Sequence, residues 1–261
     1  MPKETVTHAV LKANGPLLKW TEDSIVREVP LTIYYNQEEV ATILRSPSQA
    51  EELVYGFLFN EGFIRAPEDV YEIRWDPEDN LVWIEGKPCP LQKDLMNKRF
   101  VSACCGKSRS SFCFANDAFM VKPLISHEQI PLQEAYNYMN YLQSHLPLFQ
   151  ATGGIHSGGI GYQGSVLMTA YDIGRHNVFD KLSGTALLSG LKLENHVIFF
   201  SGRISSEILL KVAKMKVPIL LARSAPTDLA LTQAEALNIT VVGFAREQRL
   251  NIYTNPHRIT E

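Results

Sequence analysis

The chain of 261 residues predicts a two-part protein of the α/β class: a smaller α+β N-terminal domain over residues 1–125 and an α/β domain over residues 126–261. At roughly 150 residues per domain, this length fits two small domains better than one. In the second half, short apolar strands alternate with helical stretches, the rhythm of a largely parallel sheet with helices on its faces. Between the halves, Arg99 to Asn116 is dense in small, polar and sulfur-bearing residues and follows neither the helical nor the strand period, which places it on a loop.

The elements follow in chain order. Val29–Tyr35 is β-branched and aromatic and reads as a strand, with Asn36-Gln37 as the turn after it. Ser48, with Glu51 three residues on, has capping-box spacing, so a helix carrying Leu53, Phe57 and Leu58 on one face is expected from there until Gly62. Tyr71–Trp75 and Leu81–Glu85 form a hairpin around Asp79-Asn80. Beyond the loop, Leu132–Leu146 is a helix with Ala135, Tyr138, Met139 and Leu142 on one side. A glycine-rich segment, Gly153–Gly164, leads into the Ser165–Ala170 strand and a helix near Asn177–Leu188. Strands at Val197–Phe200, Pro218–Ala222 and Ile239–Phe244 alternate with helices at Ser205–Lys214 and Thr227–Leu237, and Leu250–Thr254 closes the chain.

Composition narrows the function classes. Hydrophobic residues make up 45%, enough for a core without disulfide staples. Lys plus Arg number 25 against 28 Asp plus Glu, a net charge of −3 with no global field for nucleic acid. No run approaches the ~18 apolar residues of a membrane span, and the first ten residues lack a signal-peptide core, so a cytoplasmic protein is expected.

In a reducing compartment the four cysteines, Cys89, Cys104, Cys105 and Cys113, are poor candidates for disulfides. The vicinal pair Cys104-Cys105 is the nucleophile candidate, because Arg99, Lys107 and Arg109 nearby would favour the thiolate; a buried, inert thiol is the alternative. The redox motif C-x-x-C does not occur. Zinc chemistry of the nucleobase-deaminase type needs H-x-E and P-C-x-x-C; Pro88-Cys89 is followed by Gln92 in place of the second cysteine, and no His-x-Glu occurs. No bound metal is expected. The glycines before His156 fit neither the P-loop nor the dinucleotide fingerprint.

Anion-binding candidates lie at strand ends. Asp172-Ile173-Gly174-Arg175-His176-Asn177 spans a strand-to-helix junction, where helix amides and dipole favour anions. Arg203, Arg223 and Arg246 each follow an apolar strand, at the sheet edge where open α/β folds bind ligands. Such arginines suit a phosphate-rich ligand.

The ordered set YGFLFNEGFI (Tyr55–Ile64), the cysteine loop, GGIH, DIGRHN with Asp180-Lys181, FSGR, RSAPT and VGFAR resembles the FdhD family, the formate dehydrogenase accessory sulfurtransferases, from about Val29 to the C-terminus. The resemblance implies a cytidine-deaminase-like three-layer α/β/α C-terminal domain without zinc. It also implies a persulfide carrier that takes sulfur from a cysteine desulfurase and delivers it to the bis-molybdopterin guanine dinucleotide form of the molybdenum cofactor before insertion into formate dehydrogenase. Homodimers are implied as well. The family's cofactor segment matches Phe244, Ala245, Arg246, Glu247, Gln248 and Arg249, with Asp172, Arg175, His176, Arg203 and Arg223 as further contacts. Where the family pattern is C-G-x-C, this chain reads Cys104-Cys105-Gly106-Lys107-Ser108. Alignment on Cys-Gly makes Cys105 the carrier and leaves Cys104 as its neighbouring alternative. A module that binds the cofactor without thiol chemistry is the competing reading.

Overall fold

The computed structural model describes residues 4–88, 121–145 and 147–261; all four cysteines and the cations beside them lie outside the described residues. The chain opens with an antiparallel ribbon of β1 (Thr5–Asn14) and β2 (Leu17–Val26) that sequence reasoning did not foresee. Next come β3 (Val29–Tyr35) and β4 (Glu38–Arg45). Asn36 and Gln37 between them have φ of 48° and 68°, the left-handed two-residue turn whose twist matches a hairpin. With β5 (Val70–Asp76) and β6 (Leu81–Gly86) they form a four-stranded sheet of order β4-β3-β6-β5, in which β3 and β6 run parallel.

Helix α1 (Ala50–Asn60) covers this sheet, burying Val54 and Leu58 against Leu31, Ile33, Val82 and Ile84. The expected cap is corrected. The helix starts at Ala50 after Gln49 in the left-handed region, and no side chain caps it.

The second part is built on β8 (His156–Tyr162), β9 (Ser165–Asp172), β10 (Val197–Phe200), β11 (Ile219–Ala222), β12 (Thr240–Arg246) and β13 (Arg249–Ile252), in the order β13-β12-β11-β10-β8-β9. A small parallel pair, β7 (Ile130–Pro131) with β14 (Ile259–Thr260), stands beside it. Helices α2 (Leu132–Ser144) and α3 (Pro147–Thr152) precede β8. Helix α4 (Arg175–Leu188) follows β9, α5 (Ser206–Lys214) follows β10, and α6 (Asp228–Ala236) follows β11. On one face α2 buries Ala135, Tyr138, Met139 and Leu142, the side the sequence predicts, against Phe199, Leu221 and Val242. Val178, Leu182, Ile208, Val212 and Ala230 of the other helices pack with Ile198, Phe200 and Leu220 on the opposite face. The result is a mixed sheet between helical layers.

The expectation of a largely parallel sheet is revised, because β8 runs antiparallel to β10 and β13 antiparallel to β12. The glycine-rich segment is itself the strand β8. A Cβ on Gly159 would overlap the Phe199 ring and one on Gly161 the Tyr138 ring, while those two rings stack at 5.2 Å. The missing side chains are what let two large aromatics lie flat on the sheet.

Helices α1 and α4 approach backbone to backbone: a Cβ on Gly56 would overlap the Asp180 carbonyl, and one on Gly184 the Glu52 carbonyl. A buried polar junction lies next to this contact. Lys211 of α5 donates to Asp180, Asn60 Nδ2 donates to Asp180 Oδ1 at 2.7 Å and to Ser183 Oγ at 3.1 Å, and Lys214 donates to the Asn60 carbonyl.

Candidate functional site

The C-terminal ends of β9, β10, β11 and β12 share one edge of the sheet with the first residues of the antiparallel β8. Main-chain hydrogen bonds stitch these tips into a rim. Ser201 N donates to the Ser157 carbonyl and Ser157 N to Ser201 Oγ, both at 2.9 Å. Arg223 N donates to the Phe200 carbonyl, and Phe244 N to the Ser224 carbonyl. Behind the rim lies a cavity of about 340 Å³, lined at the sheet by Ser157, Ser201, Arg223 and Ala245, on α2 by Met139, Leu142 and Gln143, and on α3 by Phe149 and Gln150. One wall is apolar with two amides, and the other carries hydroxyls and a guanidinium. This composition suits a ligand with a flat ring at one end and anionic groups at the other.

Of the residues singled out in the sequence, Arg223 and Ala245 line this cleft, and Arg203 and Arg246 are exposed on neighbouring tips. The Phe244–Arg249 segment is the tip of the β12–β13 hairpin. Its ladder slips between Gly243 and Arg246, and Phe244 has φ of 51°, unusual for an aromatic residue. Such a bulge re-aims side chains: Ala245 is buried and Phe244 is exposed. Glu247 and Gln248 form the left-handed turn, and Arg249 Nη2 donates to Glu247 at 2.9 Å.

The Asp172–Asn177 junction divides in two. Asp172 has no exposed surface; its carboxylate pairs with Lys181 at 2.7 Å and accepts hydrogen bonds from Ser46, Gly174 N and Asn177 Nδ2. It therefore holds the turn into α4 and faces away from the cleft. Arg175 and His176 stand with His156 and Glu207 where the N-termini of α4 and α5 meet. Burial holds His176 far below the usual imidazole value, at about 3, with the charges of Lys211, Arg175 and His156 adding to the effect. Burial also lowers His156, helped by Arg175 and opposed by Asp172. Burial raises Glu207 against the pull of Lys211 and Arg175. The 3.3 Å approach of His176 Nε2 to Glu207 is thus a contact of a neutral ring.

Sequence reasoning missed Ser157, Gln143, Phe149 and Gln150, since nothing local marks a residue that reaches the site through tertiary packing. Glu207, four residues beyond the arginine that ends FSGR, was not singled out either. Among the described residues, no three His, Cys, Asp or Glu side chains gather to hold a metal, and no helix is long and apolar enough to cross a membrane.

A helix-flanked mixed sheet with a cleft at its strand tips defines a protein of the α/β class. The chain belongs to the FdhD/NarQ family, whose model matches residues 26–260. It is 45% identical over 240 residues to the sulfur carrier protein FdhD of Halalkalibacterium halodurans, covering 91% of this chain and 89% of that one. Identity to the protein of the same name from Bacillus subtilis is 41% over 260 residues, covering 99% of each. A solved structure from Desulfotalea psychrophila superposes with a TM-score of 0.79 at 24% identity, covering 98% of this chain and 100% of that one, and shares the fold.

Proposed function

We propose that this chain is a sulfur carrier for formate dehydrogenase, taking persulfide sulfur from a cysteine desulfurase onto Cys105, with Cys104 as the alternative, and delivering it to a guanine-containing molybdenum cofactor. The cofactor, in its bis-molybdopterin guanine dinucleotide form, is the substrate, and the cleft of about 340 Å³ has the scale of one of its guanine nucleotide ends. The carrier role is supported by membership of the FdhD/NarQ family and by relatives named sulfur carrier proteins, and the cofactor-binding half of the reading by the cleft. Phe149, Met139 and Leu142 supply apolar lining for a base, Gln143 and Gln150 bring amides, and Arg223 brings a guanidinium suited to phosphate. Relatives named sulfur carrier proteins at 41–45% identity supply the cargo.

The first chemical step needs no metal. The Cys105 thiolate, favoured by Arg99, Lys107 and Arg109 nearby in sequence, attacks the outer sulfur of the donor persulfide. The donor's sulfur–sulfur bond breaks, its thiolate leaves, and the outer sulfur becomes the terminal atom of a Cys105 persulfide. Sulfur is exchanged between equivalent bonds, so no external electrons enter. The reading includes a cytoplasmic homodimer and a deaminase-like arrangement of the six-stranded sheet.

Incubation with a cysteine desulfurase and cysteine, followed by intact-mass measurement and peptide mapping, tests the transfer. The wild-type chain should gain one sulfur atom on this loop, and Cys105→Ser should gain none. Loss in Cys104→Ser instead moves the role to Cys104. A wild-type chain that gains no sulfur refutes the carrier and leaves only a cofactor-binding module.

A further inference from the structure

Arg175 is a cationic side chain that the cleft leaves unused. Its Nε and Nη2 atoms are buried and have no hydrogen-bond partner among the described residues. Guanidinium donors held away from water without an acceptor are costly, so an anionic acceptor placed against them would be stabilised. The groups facing it limit what that acceptor is. Asp172 is matched by Lys181, and Lys211 by Asp180. His156 and His176 are held neutral by burial. Arg175 and Glu207 therefore remain as one cation and one carboxyl group, and a dianion would face that carboxyl with a single counter-charge. The first turn of α4 has no side-chain cap at Gly174, so its amides add to the donors.

The place is distinct from the cleft. Successive residues of a strand point to opposite faces: Ser157 lines the cleft on the α2 side, while the His156 ring lies against Phe200 on the α4/α5 side. We propose that Arg175, His156, His176 and Glu207 form a subsite for a small sulfur monoanion, hydrosulfide or the terminal sulfur of a persulfide, back to back with the cleft across β8 and β10. The sulfur identity rests on the carrier reading above; the geometry asks only for a small monoanion.

The test titrates the full, thiol-reduced chain with sodium hydrosulfide, and in parallel with formate, chloride and phosphate, while following imidazole nitrogen resonances. Saturable shifts confined to His156 and His176 among the seven histidines, produced by hydrosulfide at lower concentration than by the other anions, are expected. Arg175→Gln should weaken binding about tenfold or more, the loss that goes with one charge-assisted hydrogen bond. Glu207→Gln removes the repelling carboxylate and should tighten binding, a direction that loss of folding does not mimic. Equal response to formate or chloride, preference for phosphate, or no saturable shift overturns the proposal. Hydrosulfide binding in a chain that gains no sulfur from the desulfurase would keep this subsite while refuting the carrier.

Discussion

Replacing Lys211 by Met tests the junction that joins α1, α4 and α5. Lys211 and Asp180 are each 3% exposed, and Asp180 Oδ1 also accepts from Asn60. Methionine fills much of the lysine's volume, so packing changes little while Asp180 is left with one neutral donor. Removing one partner of a buried pair costs about 3–5 kcal/mol because the remaining charge is uncompensated. Against a typical total of about 5–15 kcal/mol this is a large loss. Adding Asp180→Asn to Lys211→Met removes that charge and keeps an acceptor for Asn60, so the double variant should recover most of the stability. Urea unfolding monitored by circular dichroism reads both as shifts in midpoint at constant slope. A Lys211→Met chain within about 0.5 kcal/mol of wild type, the range of an ordinary surface change, would refute the reasoning. A double variant no better than the single would do the same.

Because His176 is neutral in the folded chain down to about pH 3 but takes up a proton near pH 6.5 when unfolded, its contribution is complete above pH 6.5 and fades as pH falls toward 3. Its share of the slope is at most about 1.4 kcal/mol per pH unit, and His176→Gln should flatten the stability profile between pH 6 and 4 as measured by denaturant midpoints; an unchanged slope counts against it. Gly161→Ala drives a methyl into the Tyr138 ring and should lower stability by about 1–3 kcal/mol, visible as a drop in Tm, whereas Gly164→Ala has open space but a φ of 77° and tests backbone strain alone. Arg223→Ala should weaken guanosine diphosphate binding by about tenfold in calorimetry, while Lys12→Ala on the β1–β2 ribbon should leave it unchanged.

The helices and apolar strands were legible because their signals are local. The α2 face, the Asn36-Gln37 turn and the β5–β6 hairpin follow from periodicity and turn chemistry within a dozen residues. Strand β8 was not, since glycine is poor in strand propensity and its place is set by Phe199 and Tyr138, aromatics distant in sequence. The same reason explains Asp172. In the sequence it looks like an exposed polar residue at a junction, but Lys181 and Ser46, the latter 126 residues earlier, both hold its Oδ2. The arginine tips were readable because each closes an apolar strand, whereas the α2 and α3 wall of the cleft was not, because only the folded chain brings Gln143, Phe149 and Ser157 together.

Strand β8 presents a nearly bare peptide plane beneath the stacked pair of rings, and bare peptide has no side chain for mutation to reshape. If the cleft takes the proposed substrate, variants that alter which molecule is accommodated would arise around the perimeter, at Gln143, Gln150, Ser201 and Arg223. Selection for a new cargo would leave a record of frequent exchange there and near-invariance at Gly159 and Gly161.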